Sequence, residues 1–215
     1  AFPPRGTKTP GQYFVYNNWD FNAAGAIFEK AGGLTVFEAF EKYLAGPLGL
    51  SDYDPRRQRM LGDPGKSAFP AYHFFLSARD LDKIGLLMAA GGQWEGRQLV
   101  HREWVRESLA PHVRRADMAP ATGFGTCDYG YLWWLPRETG PQWEGAFLAA
   151  GNYGQFLLVL PAIGSVIVHR RFVSDRFAIA RNTRAVGAPA ASPAPVTHAE
   201  FMDLARALVA GPLAR

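Results

Sequence analysis

The chain has 215 residues, of which 48% are hydrophobic and 20% charged, an ordinary composition for a folded globular domain. This composition excludes an intrinsically disordered, collagen-like or coiled-coil protein. Lys and Arg total 23 against 19 Asp and Glu, a net charge of +4. The arginines lie in small scattered groups with no basic helix or aromatic-basic RNA motif, so we expect no nucleic-acid partner.

Further classes are excluded by simple counts. No apolar run approaches the roughly 20 residues that a bilayer crossing needs, so we expect no membrane span. The single cysteine, Cys127, allows no intrachain disulfide, which leaves cytoplasm and periplasm both open as compartments. The five histidines show no metal-ligand spacing and Cys127 has no second thiol. We therefore predict neither a metal site nor a cofactor.

Helical patterns dominate the first part of the chain. Apolar residues recur at helical spacing from Trp19 to Ala31, with Asn17 or Asn18 as N-cap and Gly32-Gly33 as stop. A capping box at Thr35-Val36-Phe37-Glu38 predicts a second helix that ends at Gly46-Pro47, because proline cannot continue it. Residues 51–72 are rich in Asp, Pro, Arg and Gly and predict a long loop, of the kind that often walls a site.

The remaining elements change from helices to strands. Ser77-Ala78-Arg79-Asp80 predicts the start of a helix that runs to Gly91-Gly92, and a short helix follows at about 101–109. After residue 128, an antiparallel meander is predicted from short β-rich runs at 129–135, 145–150, 155–160 and 165–172. Residues 185–196 indicate a surface connector, and a capping box at Thr197 opens a final amphipathic helix.

Several motif-like segments follow one another in a recognisable order. Tyr16-Asn17-Asn18 precedes the first helix, its Gly-Gly stop and Gly46-Pro47-Leu48-Gly49-Leu50, and Gly151-Asn152-Tyr153-Gly154-Gln155 leads into an apolar strand. This order resembles the serine β-lactamase and penicillin-binding-protein superfamily, closest to its β-lactamase-related esterase branch, which includes class C enzymes. Tyr16-Asn17-Asn18 is similar to the family's Tyr-x-Asn motif, and 151–155 is similar to its third motif. The resemblance spans nearly the whole chain.

The resemblance implies an α/β fold of the α+β type, β-lactamase/transpeptidase-like and N-terminally incomplete. It combines an antiparallel sheet flanked by helices with a mostly helical region. Residues 1–127 would form part of the helical region, and residues 128–215 would form the strands and C-terminal helix of the same domain.

The resemblance also implies site residues. Tyr16 would be the candidate catalytic base and Asn18 the amide that orients substrate. The third motif supplies Asn152, Gly154 and Gln155 as oxyanion and substrate-binding residues, with the Gln155 N–H as one arm of the oxyanion hole. Asn152-Tyr153 replaces the family's usual basic or histidine residue and its small neighbour, which argues against classical β-lactam hydrolysis.

The family's nucleophile lies in a Ser-x-x-Lys motif upstream of the tyrosine, and none of the seven serines here has lysine three residues later. We therefore expect the chain to be the C-terminal portion of a longer enzyme, inactive alone, whose missing N-terminal segment completes the site. A free tyrosine titrates near 10, so without a close cation Tyr16 should be a neutral phenol.

Three functions stay in competition. The first is a serine hydrolase that cleaves an ester, amide or β-lactam-type bond of a small molecule through an acyl-enzyme. The second is a non-catalytic binding module with the same fold. The third is a hydrolase that uses an unrelated serine, of which Ser77 is the best placed, although a helix cap explains that residue better.

Overall fold

The structure of the chain, a computed structural model, describes residues 4, 6–9, 11, 13–119, 125–171 and 195–211. The first helix, α1, covers Asn18–Gly32. Its N-cap is Asn17, whose side-chain oxygen accepts a hydrogen bond from the Asp20 N–H at 3.3 Å. Gly33 ends the helix in the left-handed conformation. These boundaries confirm the predicted helix.

The second helix begins as predicted and ends later. It starts with the capping box at Thr35 as α2 (Val36–Phe40), passes through a π-helical turn at Glu41–Ala45 and ends in α3 (Gly46–Leu48). The predicted stop at Gly46-Pro47 is wrong. The wider turn bonds the Gly46 N–H to the Glu41 carbonyl and leaves Pro47 in the first turn of α3, where its missing N–H is not needed.

The segment that was predicted to be one long loop contains a hairpin. Strands β1 (Arg59–Leu61) and β2 (Ala71–His73) pair antiparallel. Three residues per strand are too few to show an alternating pattern, which is why the sequence did not indicate them. The buried side chain of Gln58 fastens the hairpin, since its Oε1 accepts from the Phe75 N–H at 2.8 Å and its Nε2 donates to the Asp54 carbonyl at 2.8 Å.

Two more helices and a second hairpin complete the helical region. Helix α4 (Ala78–Ala89) begins at Ser77, whose hydroxyl oxygen accepts from the Asp80 N–H at 3.0 Å, as predicted. An unpredicted hairpin, β3 (Gln93–Trp94) with β4 (Arg97–Gln98), leads to α5 (Arg102–Ser108).

The second half of the described chain forms a five-stranded antiparallel sheet in the order β5-β6-β7-β8-β9. Its strands are β5 (Asp128–Tyr129), β6 (Trp134–Leu135), β7 (Phe147–Gly151), β8 (Gln155–Leu160) and β9 (Ser165–His169). The meander is confirmed, but the run 129–135 is two strands rather than one. The chain turns between them, with Leu132 at a φ of 65°. Residue 172 and the connector at 185–194 lie outside the described residues.

Helices cover both faces of the sheet. Helix α6 (His198–Ala210), which starts with the predicted capping box, packs Phe201 and Met202 on the face that carries Phe156 and Leu158. Helix α4 packs on the opposite face, which carries Phe147, Leu157 and Val159. Strand β8 is therefore buried on both sides, and the predicted α+β fold with a helix-flanked antiparallel sheet is confirmed.

Helix α4 approaches the sheet closely at Gly85. A Cβ atom there would lie 2.7 Å from Val166 Cγ1 and 3.0 Å from Leu157 Cδ1. The absence of a side chain thus sets the distance between the helix and the sheet. Within the described part of the chain, no helix has the length and apolar character needed to cross a membrane.

Candidate active site

A cleft of about 1370 Å³ lies where α1, the β1–β2 hairpin and one end of the five-stranded sheet meet. Four of the predicted site residues line it: Tyr16, Asn18, Asn152 and Gln155. The fifth, Gly154, is buried and does not line the cleft. Residues near the start of the sequence and residues of its second half are thus brought to one surface.

Tyr16 is positioned by the extended segment before α1. Its neighbour Phe14 forms an isolated bridge with Met118, in which the Ala119 N–H donates to the Phe14 carbonyl at 2.9 Å. The Tyr16 ring packs against Trp134 with a centroid distance of 5.4 Å, and it meets Tyr129 edge-on at 6.2 Å. This half-burial among aromatic rings raises the pKa of Tyr16 above 10.0. The side chain is a neutral phenol near pH 7.

Asn18 follows Tyr16 by two residues and occupies the first position of α1. Its side chain is exposed at the cleft, because its neighbour Asn17 and not Asn18 caps the helix. The amide of Asn18 carries both donors and an acceptor. It can therefore hydrogen-bond either end of a substrate amide.

The third predicted motif forms the hairpin between β7 and β8. Gly151 pairs with Gln155 in the ladder, and residues 152–154 make the loop at the cleft. The Gln155 side chain makes two hydrogen bonds to the backbone of Arg171. Its Nε2 donates to the Arg171 carbonyl at 2.9 Å, and its Oε1 accepts from the Arg171 N–H at 3.0 Å. The side chain of Gln155 is thus a structural link between β8 and the end of β9.

Other residues of the wall were not singled out by the sequence. They include Asp52, Arg57, His73 and Arg170. Three of them lie in or just after the predicted loop 51–72, so the expectation that such a loop walls a site was the available signal. Burial lowers the pKa of His73 below 6.5, so this imidazole is neutral near pH 7.

Two possible nucleophiles have ordinary structural environments. Ser77 is occupied as the N-cap of α4, and its side chain also hydrogen-bonds to Asp52. Burial raises the pKa of the Cys127 thiol to about 12, so it is not a thiolate near neutral pH. Among the described residues, no group of three or more His, Cys, Asp and Glu is arranged to hold a metal ion.

The helix-flanked antiparallel sheet with a cleft at its end defines a β-lactamase/transpeptidase-like protein. The chain belongs to the Beta-lactamase family, whose model matches residues 3–186. Members of this family are hydrolases.

Named proteins resemble the chain over part of their length. The chain is 31% identical over 166 residues to the 6-aminohexanoate-dimer hydrolase of Paenarthrobacter ureafaciens. The match covers 76% of this chain and 40% of that protein. A candidate 6-aminohexanoate-dimer hydrolase from Bacillus anthracis has a similar structure, with a TM-score of 0.61 and 22% identity. That match covers 96% of this chain and 47% of the other.

A β-lactamase from Mycobacterium bovis has a similar structure, with a TM-score of 0.52 and 18% identity. That match covers 75% of this chain and 57% of the β-lactamase chain. The identity in both structural matches is too low to show more than a common fold. The chain spans 40% of the length of the Paenarthrobacter protein.

Proposed function

We propose that the chain forms most of the active site of a serine hydrolase that cleaves an amide or ester bond of a small molecule through an acyl-enzyme. The observation that carries this proposal is the meeting of Tyr16, Asn18 and the β7–β8 hairpin at one cleft, in a chain of the Beta-lactamase family. Residues 1–127 and 128–215 would then be two parts of one catalytic domain.

The nucleophile would come from a Ser-x-x-Lys segment outside these 215 residues. None of the seven serines within them is followed by lysine at the third position. The serine oxygen would attack the substrate carbonyl, and its proton would pass through the lysine and Tyr16 to the leaving group. Water would then cleave the acyl-enzyme and restore the serine.

Tyr16 needs a cation to serve in this relay. Burial raises its pKa, so the phenolate forms only where a positive charge offsets that cost. Lowering the pKa of a tyrosine from 10 to 7 requires about 4 kcal/mol of favourable interaction. A lysine ammonium from the Ser-x-x-Lys segment would provide it.

The oxyanion would be held by backbone N–H groups at the β7–β8 hairpin, which reaches the cleft at Asn152 and Gln155. The N–H of Gln155 was the sequence prediction for this role. Gln155 lies opposite Gly151 at the end of the strand ladder. The backbone N–H groups of the adjoining loop, including that of Asn152, are therefore further candidates for binding the oxyanion. The Asn18 amide would orient the substrate.

The substrate class we propose is a linear amide. One relative is named for hydrolysis of the 6-aminohexanoate dimer. The third motif here carries Asn152-Tyr153 in place of a basic residue, which favours a linear amide over a β-lactam.

A labelling experiment tests the proposal. The complete gene product, treated with a fluorophosphonate, should carry one label on the serine of a Ser-x-x-Lys segment, while the 215-residue chain alone should carry none. The complete protein should also release free amine from the 6-aminohexanoate dimer. A label on Ser77, or on another serine within these residues, would favour the hydrolase with an unrelated nucleophile. A folded complete protein that never acylates would favour the non-catalytic binding module.

A further inference from the structure

The loop between β7 and β8 is strained at the point where it faces the cleft. Tyr153 has a φ of 64°, in the left-handed region that residues with a side chain rarely adopt. It is one of three such non-glycine residues in the described chain, and another of them, Leu132, also lines the cleft. Strain of this kind persists only where surrounding contacts hold it.

The contacts that hold the loop come from two other elements. The His169 ring, at the end of β9, lies with Nδ1 at 2.6 Å from the Gly154 carbonyl. Because a carbonyl can only accept, Nδ1 carries the proton and donates. On the other side, a Cβ atom at Gly154 would lie 2.7 Å from the carbonyl oxygen of Val196, so the segment before α6 packs directly on the loop backbone.

The ring of His169 is itself fixed. It packs beside Phe156, with a centroid distance of 6.2 Å, and beside Phe201 of α6 at 6.5 Å. Its backbone is paired with Phe156 in the sheet. The donor at Nδ1 is therefore held in place by the sheet and by α6 rather than by the loop that it restrains.

We propose that His169 is a positioning residue of the active site, which holds the strained loop 152–154 in its working geometry by donating from Nδ1 to the Gly154 carbonyl. This inference rests on the proposed function, because the loop is the place from which backbone N–H groups would reach the oxyanion. The carbonyl of Gly154 belongs to the same peptide unit as the Gln155 N–H, so rotation of that unit would displace the N–H groups around it.

The chemistry of the bond suggests a matched pair of variants. His169→Asn keeps a donor at nearly the position of Nδ1, while His169→Phe keeps an aromatic ring beside Phe156 and Phe201 and removes the donor. Ile167→Ala is the control, since Ile167 packs on the same core from the same strand but lies away from the loop.

The test uses the complete gene product and measures its rate of acylation by a fluorophosphonate and by p-nitrophenyl acetate. We expect His169→Phe to lower the rate about thirtyfold, less than the 100- to 1000-fold loss of a whole oxyanion donor. His169→Asn should stay within about threefold of the wild type. Ile167→Ala should lower the melting temperature and leave the rate of the folded protein unchanged.

Hydrogen exchange of the loop separates the two proposals. The amides of residues 152–155 should exchange faster in His169→Phe than in the wild type and His169→Asn. If they do and acylation is unchanged, or if Phe and Asn variants behave alike, the positioning role is overturned while the serine hydrolase stands. A wild-type protein that does not acylate overturns the proposed function, and the positioning role of His169 with it.

Discussion

Tyr16 combines two properties that oppose each other in a proton-transfer group. Its aromatic neighbours fix the ring, which favours precise transfer, but the same burial raises its pKa and disfavours the phenolate. Buried Tyr129, at 6.2 Å, is a second phenol whose pKa burial raises well above its usual value. The pair stays neutral unless a cation approaches.

We expect Tyr16→Phe in the complete protein to lower the acylation rate by about a hundredfold or more, because it removes a positioned proton-transfer group. The packing against Phe21 and Trp134 is kept, so folding should be intact. Stopped-flow acylation and circular dichroism measure the two effects. Tyr13→Phe is the control, since that ring lies outside the cleft, beside Lys8. An unchanged rate in a folded Tyr16→Phe variant removes Tyr16 from the mechanism.

Asp52 gives a prediction for pH dependence. Its hydrogen bonds to Arg79, at 2.8 and 3.0 Å, and to Ser77 lower its pKa from 3.8 to about 2. A carboxyl whose pKa is lower in the folded state stabilises the fold above pH 3.8, and this stabilisation is lost as the pH falls to about 2. Arg79→Gln should therefore raise the pKa of Asp52. It should also make the free energy of unfolding fall less steeply between pH 3.8 and about 2.

Titration of Asp52 by carbon-13 NMR and urea unfolding between pH 2 and pH 5 measure both effects. Arg57→Gln is a suitable control, because Arg57 lines the same cleft without an ion pair to Asp52 among the described contacts. If the Asp52 titration is the same in Arg79→Gln as in the wild type, the ion pair does not set its pKa.

At the scale of elements, the junction between α4 and the sheet holds the two halves of the described chain together. Leu81 and Met88 of α4 pack with the β8 residues Leu157 and Val159. The helix also begins at the cleft, since its N-cap Ser77 is a wall residue. Packing of α4 therefore positions one wall of the cleft.

Gly85→Ala should destabilise the fold by about 1–3 kcal/mol, since the new methyl group would lie within 2.7 Å of Val166 and must push the helix from the sheet. Urea unfolding of the purified variant gives the value. Gly32→Ala provides the comparison, because a Cβ atom there meets only the Phe28 ring, at 3.9 Å. Equal stability of the two variants would show that α4 can shift without cost.

Prediction from the sequence succeeded where the signal is local. The caps at Asn17, Ser77 and Thr197 are set by a side chain and a backbone N–H three residues on, so they can be read from single short segments. The β1–β2 hairpin could not, because its pairing joins distant residues through strands of three residues each. The split at Leu132 was invisible for another reason, since leucine is not a residue that turns favour.

The candidate site divides in the same way. Tyr16, Asn18, Asn152 and Gln155 could be named because they stand in motif-like segments, and the structure places all four at the cleft. His169 lies in none of these motif-like segments. Its relation to Gly154 arises from the register of β8 and β9, which only the folded sheet reveals.

At the scale of the whole molecule, α1 is the least covered of the α-helices in the described chain. None of its residues is buried, and the side chains of Trp19, Ile27 and Phe28 are 52%, 67% and 45% exposed. Phe28 also lines the cleft. Such an apolar helix surface beside a candidate active site fits the proposal that further polypeptide packs there.

Ile27→Ser tests this cover. If the rest of the polypeptide buries Ile27, the substitution should cost about 1.5–3 kcal/mol of stability in the complete protein, the value of burying such a side chain. In the 215-residue chain it should cost almost nothing, because the side chain there is 67% exposed already.

Leu204→Ser on α6 is the matched control, since Leu204 is 52% exposed and lies away from the cleft. It should be neutral in both proteins. A neutral Ile27→Ser in the complete protein would mean that α1 keeps its apolar surface open to solvent, and would contradict the docking of further chain on this helix.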